Sequence, residues 1–152
     1  MLPQGSRRAA PYLLGVREII ELASLRETLL FGRGLAAGLR PGDVVTLSGP
    51  IGSGKTTLAR SLAAALTGRD EASSPSFTFW QPYRGTIDVN HLDLYRIEDE
   101  SELPELGLHE AFLGEAVTLI EWPERAPSLV PKDALRIHLS GAGNEPRLLE
   151  VE

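Results

Sequence analysis

The sequence predicts a three-layer α/β fold, a mixed central sheet flanked by helices, and three observations predict it. Val44-Val45-Thr46-Leu47 is a short β-branched apolar run, the pattern of a buried strand. The glycine-rich segment Gly49-Pro50-Ile51-Gly52-Ser53-Gly54 comes next. Residues 55–66 then carry Leu58, Leu62, Ala65 and Leu66 on one face of a helix that Gly68 closes. Strand, glycine loop and helix in that order form the setting a phosphate-binding loop requires, so the fold class is P-loop NTPase-like.

The remaining elements follow along the chain. Residues 1–11 contain Arg7-Arg8 but no apolar segment or small-residue cleavage site of an export signal, and are expected to be a flexible N-terminal extension. Residues 12–152 suit a single domain. Leu13-Leu14-Gly15-Val16 and Ile19-Ile20 are short apolar stretches expected to make an edge strand. Ser24-Leu25-Arg26-Glu27 reads as a capping box, the serine capping a helix and the glutamate reaching back. Leu25, Leu29, Gly32 and Ala36 recur at helical spacing until Pro41-Gly42 turns the chain. Residues 77–83 and 87–92 are strand-like with Arg84-Gly85 between them, an expected antiparallel hairpin. Residues 98–115 mix acidic and apolar side chains, as short surface helices do. Val117-Thr118-Leu119-Ile120 is a second buried strand, and residues 135–139 and 148–151 are terminal strands joined by a turn at 141–146.

Composition narrows the function classes. The net charge is −6, the thirteen Arg are scattered, and no basic run exceeds Arg7-Arg8. A domain that grips nucleic acid by its phosphates shows a basic patch, so any link to RNA is expected to pass through a partner protein. The chain has no cysteine, which excludes disulfides and thiolate chemistry. No apolar run approaches the ~20 residues that span a bilayer, and a cytoplasmic protein is expected.

The pattern G-x-x-x-x-G-K-[ST] is met by Gly49, Gly54, Lys55 and Thr56. Glycines let successive N–H groups point at phosphate oxygens, and the helix start aims its N–H groups and dipole at the same anion. Lys55 is the compact charge that reaches the β- and γ-phosphates, and the Thr56 hydroxyl is placed to coordinate Mg²⁺. It is one of only two Lys, against thirteen Arg. Phosphoryl chemistry also needs a carboxylate near the metal, and two strands end in one: Glu121 after Ile120 and Asp93 after Leu92. One would hold Mg²⁺ directly or through water while the other orients the attacking water. His91 receives no chemical role, Arg96 and Arg125 could touch phosphate but are expected in surface ion pairs as the commoner fate, and Trp122 is a core residue or a reporter of nucleotide binding.

Beyond the loop, Ser74-Pro75-Ser76-Phe77-Thr78, His91-Leu92-Asp93-Leu94-Tyr95-Arg96, Glu105-Leu106-Gly107-Leu108 and Ile120-Glu121-Trp122-Pro123-Glu124-Arg125 stand in a specific order. With them the chain resembles the TsaE (YjeE) family from about Ser24 onward. The resemblance implies an ATPase that works with the subunits TsaD and TsaB in threonylcarbamoyl modification of tRNA adenosine, remodelling the transferase rather than making the base. It implies ATP bound by Gly52, Ser53, Gly54, Lys55, Thr56 and Thr57, and Mg²⁺ held by Thr56 with Glu121. It also implies Asp93 in hydrolysis and Ser74-Pro75-Ser76-Phe77-Thr78 as a switch-like loop near the γ-phosphate. Pro50 stands where the family has an acid, Ser76 where it has Thr, and Gly143-Asn144 where it has Gly-Arg. Two other readings use the same loop: a small-molecule kinase, for which no Arg-bearing lid is evident, and a nucleotide-gated assembly module that needs no turnover. No Asn-Lys-x-Asp guanine-reading motif is present.

Overall fold

The computed structural model of the chain describes residues 17–70 and 78–152. The extension at 1–11, the apolar stretch at 13–16 and residues 74–77 of the switch-like loop lie outside the described residues.

In chain order the elements are β1 (Glu18–Leu22), α1 (Leu25–Gly38), β2 (Val44–Ser48), α2 (Lys55–Thr67), β3 (Trp80–Tyr83), β4 (Val89–Asp93), α3 (Leu103–Leu106), β5 (Val117–Glu121), β6 (Leu135–Ser140) and β7 (Arg147–Val151). The strands form one seven-stranded sheet in the order β1-β7-β6-β2-β5-β4-β3. The central four, β6, β2, β5 and β4, run parallel, while β3, β7 and β1 add antiparallel edges. Composition explains the placement: parallel strands are covered on both faces and read as continuous apolar runs. All five residues of β5 are buried, whereas β6, with the polar-edged β7 beside it, alternates buried and exposed.

The pleat divides two cores. Val45 and Leu47 of β2 point to one face, where they join Leu35 of α1 and Leu58 and Leu62 of α2. On the other face Leu92 and Ile120 meet Leu94, Leu103 and Leu108 from the short helical turns after β4, with Val44 of β2 packed alongside. These are the three layers the sequence predicts. Two expected faces differ, however. Of the expected α1 set, Gly32 and Ala36 are buried but Leu25 and Leu29 are exposed, and Thr28 and Leu35 complete the buried face. In α2, Ala65 faces solvent while Ala59 and Ala63 are buried. In both helices the stripe that touches the neighbour is built partly from small residues, because small side chains let the two axes approach. The capping box is also shifted by one residue. Ser24 Oγ accepts the Glu27 N–H at 3.2 Å, and the Glu27 carboxylate accepts the N–H of Ala23, not of Ser24, at 2.6 Å.

Register is what builds the site. Glu121 of β5 lies beside Leu47 of β2 and beside Asp93 of β4, so both carboxylates emerge level with the point where β2 enters the glycine loop. Among the described residues no helix is long and apolar enough to cross a membrane.

Candidate functional site

The loop from Gly49 to Gly54 is shaped by backbone that a side chain would block. Gly49 has φ 136°, and a Cβ there would lie 2.2 Å from the Leu139 carbonyl oxygen. Gly54, at φ 99°, is the N-cap of α2 and brings no capping side chain, which leaves the first N–H groups of that helix for a ligand. Ile51 at the loop tip is exposed.

Lys55 opens α2 and folds back over the loop. Its Nζ donates to the carbonyls of Gly49 at 2.7 Å and Pro50 at 2.8 Å, and lies 4.2 Å from the centre of the Trp122 ring. Burial lowers its pKa, while the negative charges of Glu121, Glu124 and Asp93 act in the opposite direction. Trp122 takes this position with φ 60°, a left-handed conformation that no other non-glycine residue among those described adopts. Tyr95 packs on its indole at 4.8 Å, and Arg125 lies 5.5 Å from the centre of the Tyr95 ring. Arg125 is therefore engaged by an aromatic face rather than by the expected ion pair, and Arg96 likewise lies over Phe79 at 5.0 Å.

At the next residue of α2, Thr56 Oγ1 donates to Glu121 Oε1 at 2.8 Å. The other carboxylate oxygen, Oε2, is 2.6 Å from His91 Nε2, and both Glu121 and His91 are buried. Asp93 Oδ1 accepts the Tyr95 N–H at 3.0 Å. Desolvation raises its pKa; the Tyr95 hydrogen bond opposes that rise and the Glu121 charge reinforces it. Lys55, Thr56, Asp93 and Glu121 thus share one cavity of about 510 Å³ with Gly52, Gly54 and Thr57. Ser53 is the expected site residue that does not line it; its side chain is fully buried and its hydroxyl has no hydrogen-bond partner.

The model of the family described as "Threonylcarbamoyl adenosine biosynthesis protein TsaE" matches residues 22–149. The chain belongs to the TsaE family. It is 40% identical over 122 residues to the tRNA threonylcarbamoyladenosine biosynthesis protein TsaE of Bacillus subtilis, covering 80% of this chain and 76% of that one. It is 36% identical over 132 residues to the protein of the same name from Rickettsia bellii, covering 86% and 91%. The crystal structure of Bacillus subtilis YdiB superimposes with a TM-score of 0.74 at 31% identity, covering 90% of this chain and 84% of that one.

Three features of this TsaE-family site escape the sequence. The first is His91: two residues before Asp93 on β4, it shares a strand face with the acid, and that period of two was the signal available. The second is Arg147, which opens β7. Its guanidinium donates to the carbonyls of Glu145, Gly143 and Gly52 at 2.6, 3.2 and 3.4 Å, tying the β6–β7 turn to the phosphate loop. A guanidinium therefore stands at this edge although position 144, where the resemblance leads one to expect arginine, is Asn. Nothing short of the chain's return through β6 and β7 brings it there. The third is a second cavity of about 310 Å³, lined by Ser24, Leu25 and Thr28 of α1 and by Gly143 and Asn144, which meets the first at Gly54, Thr57 and Arg147.

The donor set fits a hard cation. Thr56 and Glu121 offer oxygen only, the ligand type Mg²⁺ takes. Among the described residues, no group of three or more His, Cys, Asp or Glu gathers to hold a metal by itself. Such a site suits an ion that arrives with phosphate oxygens and water.

Proposed function

We propose that this TsaE-family chain is a Mg²⁺-dependent ATPase of the cytoplasm, acting on the TsaD–TsaB transferase in threonylcarbamoyl modification of tRNA adenosine. The observation that carries the reading is the 2.8 Å pairing of Thr56 with Glu121 at the head of α2, beside a buried lysine and a helix start that no side chain caps. In this reading the N–H groups of Gly52, Ser53, Gly54, Lys55, Thr56 and Thr57 receive the phosphates. Lys55 turns from the Gly49 and Pro50 carbonyls to the β- and γ-oxygens. Thr56 and Glu121 hold Mg²⁺, which neutralises charge on the transferring group. Both Glu121 oxygens are engaged, by Thr56 and His91, so Asp93 is the carboxylate that orients the attacking water. The smaller cavity beside Thr57 and Arg147 receives the nucleoside.

Hydrolysis by the chain alone is expected to be slow, because groups supplied in trans raise phosphoryl-transfer rates by about 10³–10⁵. The test is ATP hydrolysis by wild type, Lys55→Ala and Glu121→Ala, each with and without TsaD and TsaB. Partners should stimulate the wild type, and neither variant should turn over. Wild-type rates from Glu121→Ala would overturn the metal assignment, and an unchanged wild-type rate on adding partners would overturn the activation.

A further inference from the structure

The proposed chemistry gives His91 no task beyond occupying one Glu121 oxygen, although its contact is among the shortest at the site. His91 comes from β4, Glu121 from the adjacent parallel strand β5, and Thr56 from α2, so Glu121 is held from two separate elements. The imidazole is fully buried, as is the carboxylate it meets at 2.6 Å. Its other nitrogen, Nδ1, has no hydrogen-bond partner. That orphan fixes the direction of the bond. If Nε2 accepted a hydrogen bond, or if both nitrogens carried protons, Nδ1 would be a buried N–H with no acceptor, which folded proteins avoid. With the proton on Nε2 the orphan is only a lone pair, and the ring donates to Glu121.

A buried glutamate has several rotamers within reach, and one hydroxyl on Oε1 leaves the carboxylate free to swing about that contact. A second hydrogen bond on Oε2 removes that freedom and keeps Oε1 on Thr56. We propose that His91 is the positioning residue of the cation site: its Nε2–H fixes the plane of the Glu121 carboxylate so that Glu121 and Thr56 present oxygens to the same ion. This rests on the reading of Thr56 and Glu121 as the Mg²⁺ residues. His91 itself touches neither metal nor nucleotide.

The experiment compares ADP affinity by calorimetry with Mg²⁺ and with EDTA, and takes the ratio of the two dissociation constants as the readout. Outer partners of metal ligands change metal affinity by about 10–100-fold when removed. His91→Leu should therefore lower the Mg²⁺-linked ratio at least tenfold and leave the EDTA affinity within a few-fold of wild type. His91→Gln, whose amide N–H reaches as far as Nε2, should restore most of the ratio. His91→Asn, whose amide is too short, should not, and the Gln–Asn pair decides the matter if the leucine variant does not fold. A wild-type ratio in His91→Leu, an equal loss with and without Mg²⁺, or a folded His91→Gln no better than His91→Asn would each overturn the proposal. Glu121→Ala is the control: if it keeps the wild-type ratio, the metal reading has failed; if it loses the ratio while His91→Leu keeps it, only the role of His91 has failed.

Discussion

At the residue scale, the role proposed for Asp93 and the stability of the fold oppose each other. Its carboxylate is desolvated beside the like charge of Glu121, and the Tyr95 N–H offsets only part of this, so its pKa is raised from 3.8. The fold therefore favours the protonated acid. That favourable contribution is complete below the ordinary carboxylate value and is lost as pH climbs through the raised folded one. Near pH 7 the charge is a cost that Asp93→Asn removes while keeping an oxygen for the Tyr95 N–H. In EDTA the variant should melt at least as high as wild type near pH 7, with any advantage gone below about pH 4. With partners and Mg²⁺ it should no longer hydrolyse ATP. Melting below wild type near pH 7, but not in acid, would show the charge to be stabilising. Legibility at this scale follows reach along the chain. Lys55 and Thr56 are fixed by a local pattern, and Asp93 and Glu121 by their places at the ends of apolar runs. His91 and Arg147 owe their roles to contacts with Glu121 and Gly52, which lie 30 and 95 positions away.

At the element scale, the strands were legible because buried parallel strands announce themselves as apolar runs, and α2 because Gly54 and Gly68 bracket it. The face of α1 was legible only in part. Helical spacing picks out Leu25, Leu29, Gly32 and Ala36, but only the last two are buried, and the helix lies on α2 through Gly32, where a Cβ would fall 2.4 Å from Ser61 Oγ and 2.9 Å from Ser61 Cβ. Ser61 in turn donates to the Leu29 carbonyl at 3.1 Å, so the contact is backbone against a small side chain. A glycine chosen for closeness carries no hydrophobic signal. The smaller cavity lies between the starts of α1 and α2 and the β6–β7 turn. Gly32→Ala should therefore cost about 1–3 kcal/mol, as overpacking does, despite alanine's better helix propensity. Adding Ser61→Gly should recover part of the loss by removing both clashing atoms. Urea unfolding of the two variants and wild type measures it; a Gly32→Ala protein as stable as wild type would mean that the helices separate freely at this point.

At the scale of the whole molecule, the charge balance sets the conditions for binding. The chain carries a net charge of −6, and two of its carboxylates, Asp93 and Glu121, lie within the cavity that holds Lys55. A triphosphate entering there meets attraction from the α2 N-terminus, Lys55 and Arg147, and repulsion from both acids. In the proposed reading a divalent cation would convert the repulsion from Glu121 into a shared ligand, and among the described residues no group of three or more His, Cys, Asp or Glu gathers to hold it. Stability should therefore respond to the pair and not to its parts. Ligand present at 100 times its dissociation constant stabilises by about 2.7 kcal/mol. For a domain of this size that corresponds to a rise of roughly 5–11 °C in melting temperature. Mg²⁺ alone should give no measurable shift, ATP in EDTA a small one, and ATP with Mg²⁺ the full rise, read by differential scanning calorimetry at fixed protein concentration. An equal rise with ATP in EDTA would mean that the carboxylates do not face the phosphates. A comparable rise with Mg²⁺ alone would mean that the protein builds a metal site without the nucleotide.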